Sequence, residues 1–165
     1  MVFPRSFLAV VIASTTVLGA LPPAGVPLWI VNRETGQFFD DKLMLSTPGN
    51  PMITFPFVNV QNQRWILHAK HGGNDTAGNF TFECVDPDVK VATSGELGVG
   101  LTAQECPSVF TIVDTGGDGL STVYRITYGP YVVAGSPLRG GDVTLQKPIA
   151  KDRLQDWRVF VISDI

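Results

Sequence analysis

Asn62-Gln63-Arg64-Trp65-Ile66-Leu67, Glu105-Cys106-Pro107-Ser108-Val109-Phe110-Thr111-Ile112 and Leu154-Gln155-Asp156-Trp157-Arg158-Val159-Phe160-Val161 are three versions of one ending. In each, a polar stretch runs into a large aromatic residue and then into apolar alternation. Trp65, Phe110 and Trp157 stand 45 and 47 residues apart. That period predicts units of about four short strands, none of which can bury its own apolar face, so all must share one core.

The segments that open each unit agree. Leu28-Trp29-Ile30-Val31-Asn32, Asn79 to Val85 and Thr122 to Tyr128 are short and rich in the β-branched and aromatic residues that suit strands. Each meets a turn signal and then a second apolar run, at Phe38-Phe39, Val89 to Val91 and Tyr131 to Val133. Third runs follow at Met52 to Phe55, Gly98 to Leu101 and Asp142 to Gln146. Three units of four strands predict twelve strands over residues 26–165, with repeats at about 26–72, 78–116 and 120–165. The Gly and Pro residues punctuate strands rather than forming a linker, and no helical period is sustained, so the chain reads as one all-β domain.

Residues 1–20 read as a secretory leader. Arg5 supplies the positive end, Phe7 to Leu18 the apolar stretch, and Gly19-Ala20 a small-residue cleavage site. An uncleaved anchor is the alternative, but the apolar run is short and interrupted by Ser14, Thr15 and Thr16. The expected protein is secreted. In an oxidising compartment Cys84 and Cys106 are expected to pair, since the opening and closing strands of unit two would place them side by side, with two free thiols as the alternative. Asn74-Asp75-Thr76 and Asn79-Phe80-Thr81 are glycosylation sequons, the first expected in a surface loop at 72–78 and the second inside a strand.

A secreted chain of three such units, closing in Gln63-Arg64-Trp65, the degenerate Pro107-Ser108-Val109-Phe110 and Gln155-Asp156-Trp157, resembles a β-trefoil of the ricin B chain type across residues 27–162. That resemblance implies a six-stranded barrel capped by three hairpins. It also implies a sugar site in a unit that keeps an Asp on its second strand, an aromatic platform on its third and an Asn before the closing Gln. Carboxylate and amide groups bracket vicinal hydroxyls there while an aromatic face covers the pyranose. Unit one comes nearest, with Asp40, Asn62 and Gln63, and Phe55 or Phe57 as platform. Unit three has Leu154 in place of the Asn and Val133 near the Asp position, and unit two lacks the Gln and Trp. The expected partner is a glycan or glycoprotein.

The same fold serves other functions, so fold alone does not choose. The resemblance extends to fungal β-trefoil protease inhibitors, for which the stiff loops at 46–51 and 135–141 would dock a secreted protease, Arg139 entering an arginine-preferring pocket. An enzyme is not expected, and no cofactor. His68 and His71 stand together as solvated loop residues without a third metal ligand or a nucleophile. Asp114 to Gly119 has Gly116 at a calcium-ligand position and reads as a turn. Loss of Arg5 with the leader would take the formal net charge from −3 to −4, and the cations are dispersed in sequence, so neither nucleic acid nor membrane is an expected partner.

Overall fold

A computed structural model of the chain describes residues 20–117 and 121–163. The predicted leader lies outside the described residues except for Ala20. Thirteen strands follow in order: β1 (Pro27–Asn32), β2 (Phe38–Asp41), β3 (Met52–Phe55), β4 (Trp65–Asn74), β5 (Ala77–Cys84), β6 (Lys90–Ala92), β7 (Thr102–Gln104), β8 (Phe110–Gly117), β9 (Thr122–Tyr128), β10 (Tyr131–Ala134), β11 (Gly141–Asp142), β12 (Thr144–Gln146) and β13 (Trp157–Val161).

Six of these close a ring of antiparallel neighbours, β1–β4–β5–β8–β9–β13 and back to β1. Closure leaves no exposed edge in the barrel wall. The remaining strands form three hairpins, β2–β3, β6–β7 and β10–β12. They are tied around a pseudo-threefold axis by a cycle of backbone hydrogen bonds: Met52 N donates to Leu101 O (2.8 Å), Leu101 N to Val143 O (2.8 Å) and Val143 N to Met52 O (2.9 Å). This is a β-trefoil.

The three endings deliver what their aromatic residues predicted. Trp65, Phe110 and Trp157 are each fully buried, and Ile30, Phe82 and Ile126 of the opening strands join them in one core. Phe39 packs edge-on against both Trp65 (4.8 Å between ring centroids) and Trp157 (5.9 Å), so the units share one core rather than each having its own.

Three expectations are revised. The third strand of unit two is Thr102–Gln104, not Gly98 to Leu101, because Leu101 turns in to the axial cycle before the ladder begins. The third run of unit three divides into β11, which pairs with β3, and β12, which pairs with β10. The predicted loop at 72–78 is instead a hairpin, since β4 runs on to Asn74 and β5 begins at Ala77. Its register shift falls between Lys70 and Gly73, where Gly72 (φ 95) and Gly73 (φ 122) adopt backbone angles that a side chain would oppose. His68 and His71 therefore stand on a strand, and His68 Nε2 lies 3.0 Å from Glu83 Oε2.

The packed chain also begins before residue 26. Pro22 is buried, Leu21 packs against the core, Gly25 N donates to Leu67 O (2.8 Å), and Tyr124 Oη donates to Ala20 O (2.9 Å).

Candidate functional site

The Gln of the closing motif is a backbone clamp. Gln63 Nε2 donates to Pro56 O (2.9 Å) and its Oε1 accepts from Val58 N (3.1 Å). Gln155 repeats this in unit three, donating to Lys147 O (2.8 Å) and accepting from Ile149 N (2.9 Å). Each thereby holds the loop that precedes its closing strand. The Trp two residues on ties that strand to the hairpin of its own unit, since Trp65 Nε1 donates to Phe39 O (2.9 Å) and Trp157 Nε1 to Val133 O (3.0 Å). Phe110 has no ring N–H, and in unit two the corresponding Val91 O accepts from Ser108 N instead (3.0 Å). By this equivalence Ala134, one residue past Val133, occupies the place of Asp40 in unit three.

Unit one adds polar groups to the clamp. Asp40 is 3% exposed, and its Oδ1 accepts from Asn62 Nδ2 (2.9 Å) while its Oδ2 accepts from Gln63 Nε2 (2.8 Å). Asn62 Nδ2 also donates to Asp41 O (2.7 Å). Asp41, wholly buried, accepts at Oδ1 from Asn50 Nδ2 (2.7 Å). Burial pushes Asp40 up to about 6, against the hydrogen bond from Gln63 and with the neighbouring Asp41 charge adding to the rise. Burial likewise pushes Asp41 up to about 6, opposed by Asn50. Two acceptor atoms, Asp41 Oδ2 and Asn62 Oδ1, are buried without a hydrogen-bond partner. Such atoms are costly inside a protein and call for donors.

The polar members of the predicted site thus converge, and the aromatic ones stand apart from Asp40 in the ladder. Asp40 pairs with Ile53, and Phe55 pairs with Phe38, one pleat further along the hairpin. Phe55 carries the Arg139 guanidinium 4.7 Å above its ring. Phe57, 48% exposed, packs on Trp29 (5.3 Å) and Phe38 (4.9 Å). Residues that belong to no predicted motif do border the site. The connector after β2 makes a 3-10 turn at Lys42–Met44, packed beside the turn Gln61–Gln63 and anchored through Asn50 Nδ2, which donates to Lys42 O (2.7 Å). Leu43 (φ 61) and Met44 (φ 55) hold left-handed backbone there and are 75% and 40% exposed. Their signal in the sequence was an apolar Leu43-Met44-Leu45 run outside any strand.

The Cys84–Cys106 disulfide is not formed. Cys84 is a buried free thiol and Cys106 an exposed one. The ladder between β5 and β8 stops at Phe80↔Phe110, beyond which β6 intervenes: Cys84 N donates to Val89 O and Ser108 N to Val91 O. Burial pushes the Cys84 thiol up to about 12.

Asn74 stands exposed at the β4–β5 turn, where its Oδ1 accepts from Thr76 N, Thr76 Oγ1 and Ala77 N. Asn79 lies in the sheet, its Nδ2 donating to His71 O (3.3 Å) and its Oδ1 accepting from Thr111 Oγ1 (2.9 Å). At 135–141 Leu138 is 71% exposed, and Gly140 N ties the loop to Thr54 O. Among the described residues no group of three His, Cys, Asp or Glu side chains is placed to hold a metal ion. Cations dispersed in sequence do converge in space: Arg33 Nη1 (3.0 Å) and Arg125 Nε (3.1 Å) both bind the Asp156 carboxylate.

No protein-family model matches the chain, and no curated protein matches it. Solved structures do. The designed threefold-symmetric protein ThreeFoil superposes with a TM-score of 0.70 at 18% identity, over 82% of this chain and 99% of that one. A ricin B-like lectin of Macrolepiota procera, solved with lactose, gives 0.65 at 16% identity over 87% and 100%. The C-half of an earthworm R-type lectin, solved with GalNAc, gives 0.59 at 14% identity over 83% and 99%. The closed ring, the three capping hairpins and these superpositions together make the chain a β-trefoil, the fold it shares with ricin B-like lectins.

Proposed function

We propose that the chain is a secreted, non-catalytic carbohydrate-binding protein that receives sugar hydroxyls at Asp40 and Asn62 of unit one. The observation that carries this reading is the convergence of Asp40, Asn62 and Gln63 on one hydrogen-bonded group that still holds two unpartnered acceptors, Asp41 Oδ2 and Asn62 Oδ1. An ionised carboxylate has about four acceptor positions, and Asp40 uses one on each oxygen, so vicinal hydroxyls can donate to the rest. Lectins of the same fold solved with lactose and GalNAc support the ligand class.

Access runs past the Lys42–Met44 turn. Leu43 and Met44 each carry about 1–2 kcal/mol of left-handed backbone cost, and release of that turn on binding offsets part of the energy of opening the site. Secretion is supported by the leader pattern of residues 1–20.

The test is a glycan array followed by calorimetry. The parent protein should bind neutral glycans, and Asp40→Asn, which keeps the side chain's shape but turns one of its two acceptors into a donor facing Asn62 or Gln63, should abolish binding. Binding that survives in Asp40→Asn refutes the site. Affinity should also fall as pH drops from about 7 to 5, because the carboxylates that accept the hydroxyls become protonated through about 6.

A further inference from the structure

The hairpin that joins units one and two carries a sequon at its tip. β4 and β5 pair from Trp65↔Cys84 out to Asn74↔Ala77, and Asp75 with Thr76 makes the turn. Every residue from Ala69 to Thr76 is exposed, yet the turn is fixed. Asp114 N donates to Thr76 O (2.8 Å), and Asn74 Oδ1 accepts from Thr76 N (3.0 Å), Thr76 Oγ1 (3.1 Å) and Ala77 N (2.9 Å). Three donors on one atom orient the Asn74 amide, because its nitrogen could not accept them. Nδ2 therefore points away from all three, and among the described residues it makes no hydrogen bond.

The second sequon is held in the opposite way. Asn79 lies between two strands, paired with Lys70 of β4 and Thr111 of β8. Both ends of its amide are engaged, Nδ2 donating to His71 O (3.3 Å) and Oδ1 accepting from Thr111 Oγ1 (2.9 Å). A Cβ added at Gly72 would stand only 3.1 Å from that nitrogen, so Asn79 Nδ2 fills the hollow left by the glycine of the bulge. A sugar on Nδ2 meets that bulge. Thr81, the hydroxyl residue of this sequon, is buried at 4% exposure, so the folded hairpin does not present it.

N-glycosylation joins an Asn that precedes a hydroxyl residue by two positions to an oligosaccharide carried on a lipid pyrophosphate. The bond from the sugar C1 to the pyrophosphate oxygen breaks, a bond from Nδ2 to C1 forms, one amide proton passes to the transferase, and the lipid pyrophosphate leaves. Nothing is oxidised or reduced. The product amide keeps its oxygen as an acceptor, so at Asn74 all three bonds of the turn survive the linkage while the glycan runs into solvent. The position also spares the Asp40 group. Trp65, which bonds Phe39 O beside Asp40, begins β4, and Asn74 ends it, roughly 30 Å further along the strand.

We propose that Asn74 is the N-glycan acceptor of this chain in a eukaryotic secretory route and that Asn79 stays unmodified. The assignment rests on the secretion reading, and the experiment separates the two. The full chain is expressed in cultured eukaryotic cells with its own leader, and in parallel with residues 1–20 replaced by a leader known to direct export in those cells. Secreted protein is treated with peptide-N-glycosidase in heavy-oxygen water and its peptides are read by mass spectrometry. The enzyme should lower the apparent mass by one step and leave a heavy-oxygen aspartate at 74 and none at 79. Asn74→Gln and Thr76→Ala should each abolish the step, Thr76→Ser, which keeps the hydroxyl, should retain it, and Asn79→Gln should leave it unchanged. Asn74→Gln should still bind neutral glycans as the parent does, since the Asp40 group is distant. Modification of Asn74 behind the substituted leader alone refutes secretion by residues 1–20 and leaves the acceptor assignment standing. Secreted protein that is insensitive to the glycosidase, label at 79, or a mass step that survives Asn74→Gln would each overturn the proposal.

Discussion

Gln63 and Gln155 show how one residue type carries two duties. Both clamp a loop through the backbone, but only Gln63 also holds a buried carboxylate. Replacing either with Ala strips buried partners and should cost about 2–3 kcal/mol in urea denaturation. Gln63→Ala should in addition weaken sugar binding, and Gln155→Ala should not. Asp40 and Asp41 make a second residue-scale prediction. Their folded pKa values near 6 lie above the ordinary 3.8, so the native state holds protons that the unfolded chain releases between those limits. Stability from this source is therefore present below about 4 and lost as pH rises through about 6. The thermal midpoint should be several degrees higher at pH 5 than at pH 7.5, and Asp41→Asn should flatten the difference. Asp40, Asn62 and Gln63 were legible in the sequence because a motif names them by spacing. Asp41 was not, since its burial arises from Asn50 and the connector folding over it.

At the scale of elements, alternation and turn signals located β1, β2, β3, β9 and β10 closely. They misplaced the third strand of unit two, because Leu101 meets the axis through backbone hydrogen bonds that no side-chain pattern records. The cysteines failed for a related reason. Two strands can be neighbours and still part before their ends, and β6 enters where β5 and β8 separate. Iodoacetamide under native conditions should therefore label Cys106 and spare Cys84, read by peptide mass spectrometry, and dithiothreitol should leave the thermal midpoint unchanged. A lower midpoint on reduction, or protection of both thiols, would restore the bridge.

For the whole molecule, the closed ring and the cycle through Met52, Leu101 and Val143 bind three unequal units into one cooperative body. The segment Ala20 to Gly25 crosses from Leu67 on β4 to Tyr124 on β9. A protein starting at Val26 should melt roughly 3–6 °C below one starting at Leu21, since Leu21 and Pro22 bury apolar surface worth about 1–2 kcal/mol. The sequence by itself determined the repeat, the shared core and the inequality of the units, because period, strand alternation and the positions of Trp65, Phe110 and Trp157 are properties of a linear pattern. Only the tertiary structure decided which side chains meet. It set Phe55 beside Arg139 and one pleat away from Asp40, kept Cys84 from Cys106, and brought Arg33 and Arg125 from distant positions onto the one carboxylate of Asp156. Barrel closure and strand register set those distances, and both depend on the whole chain at once.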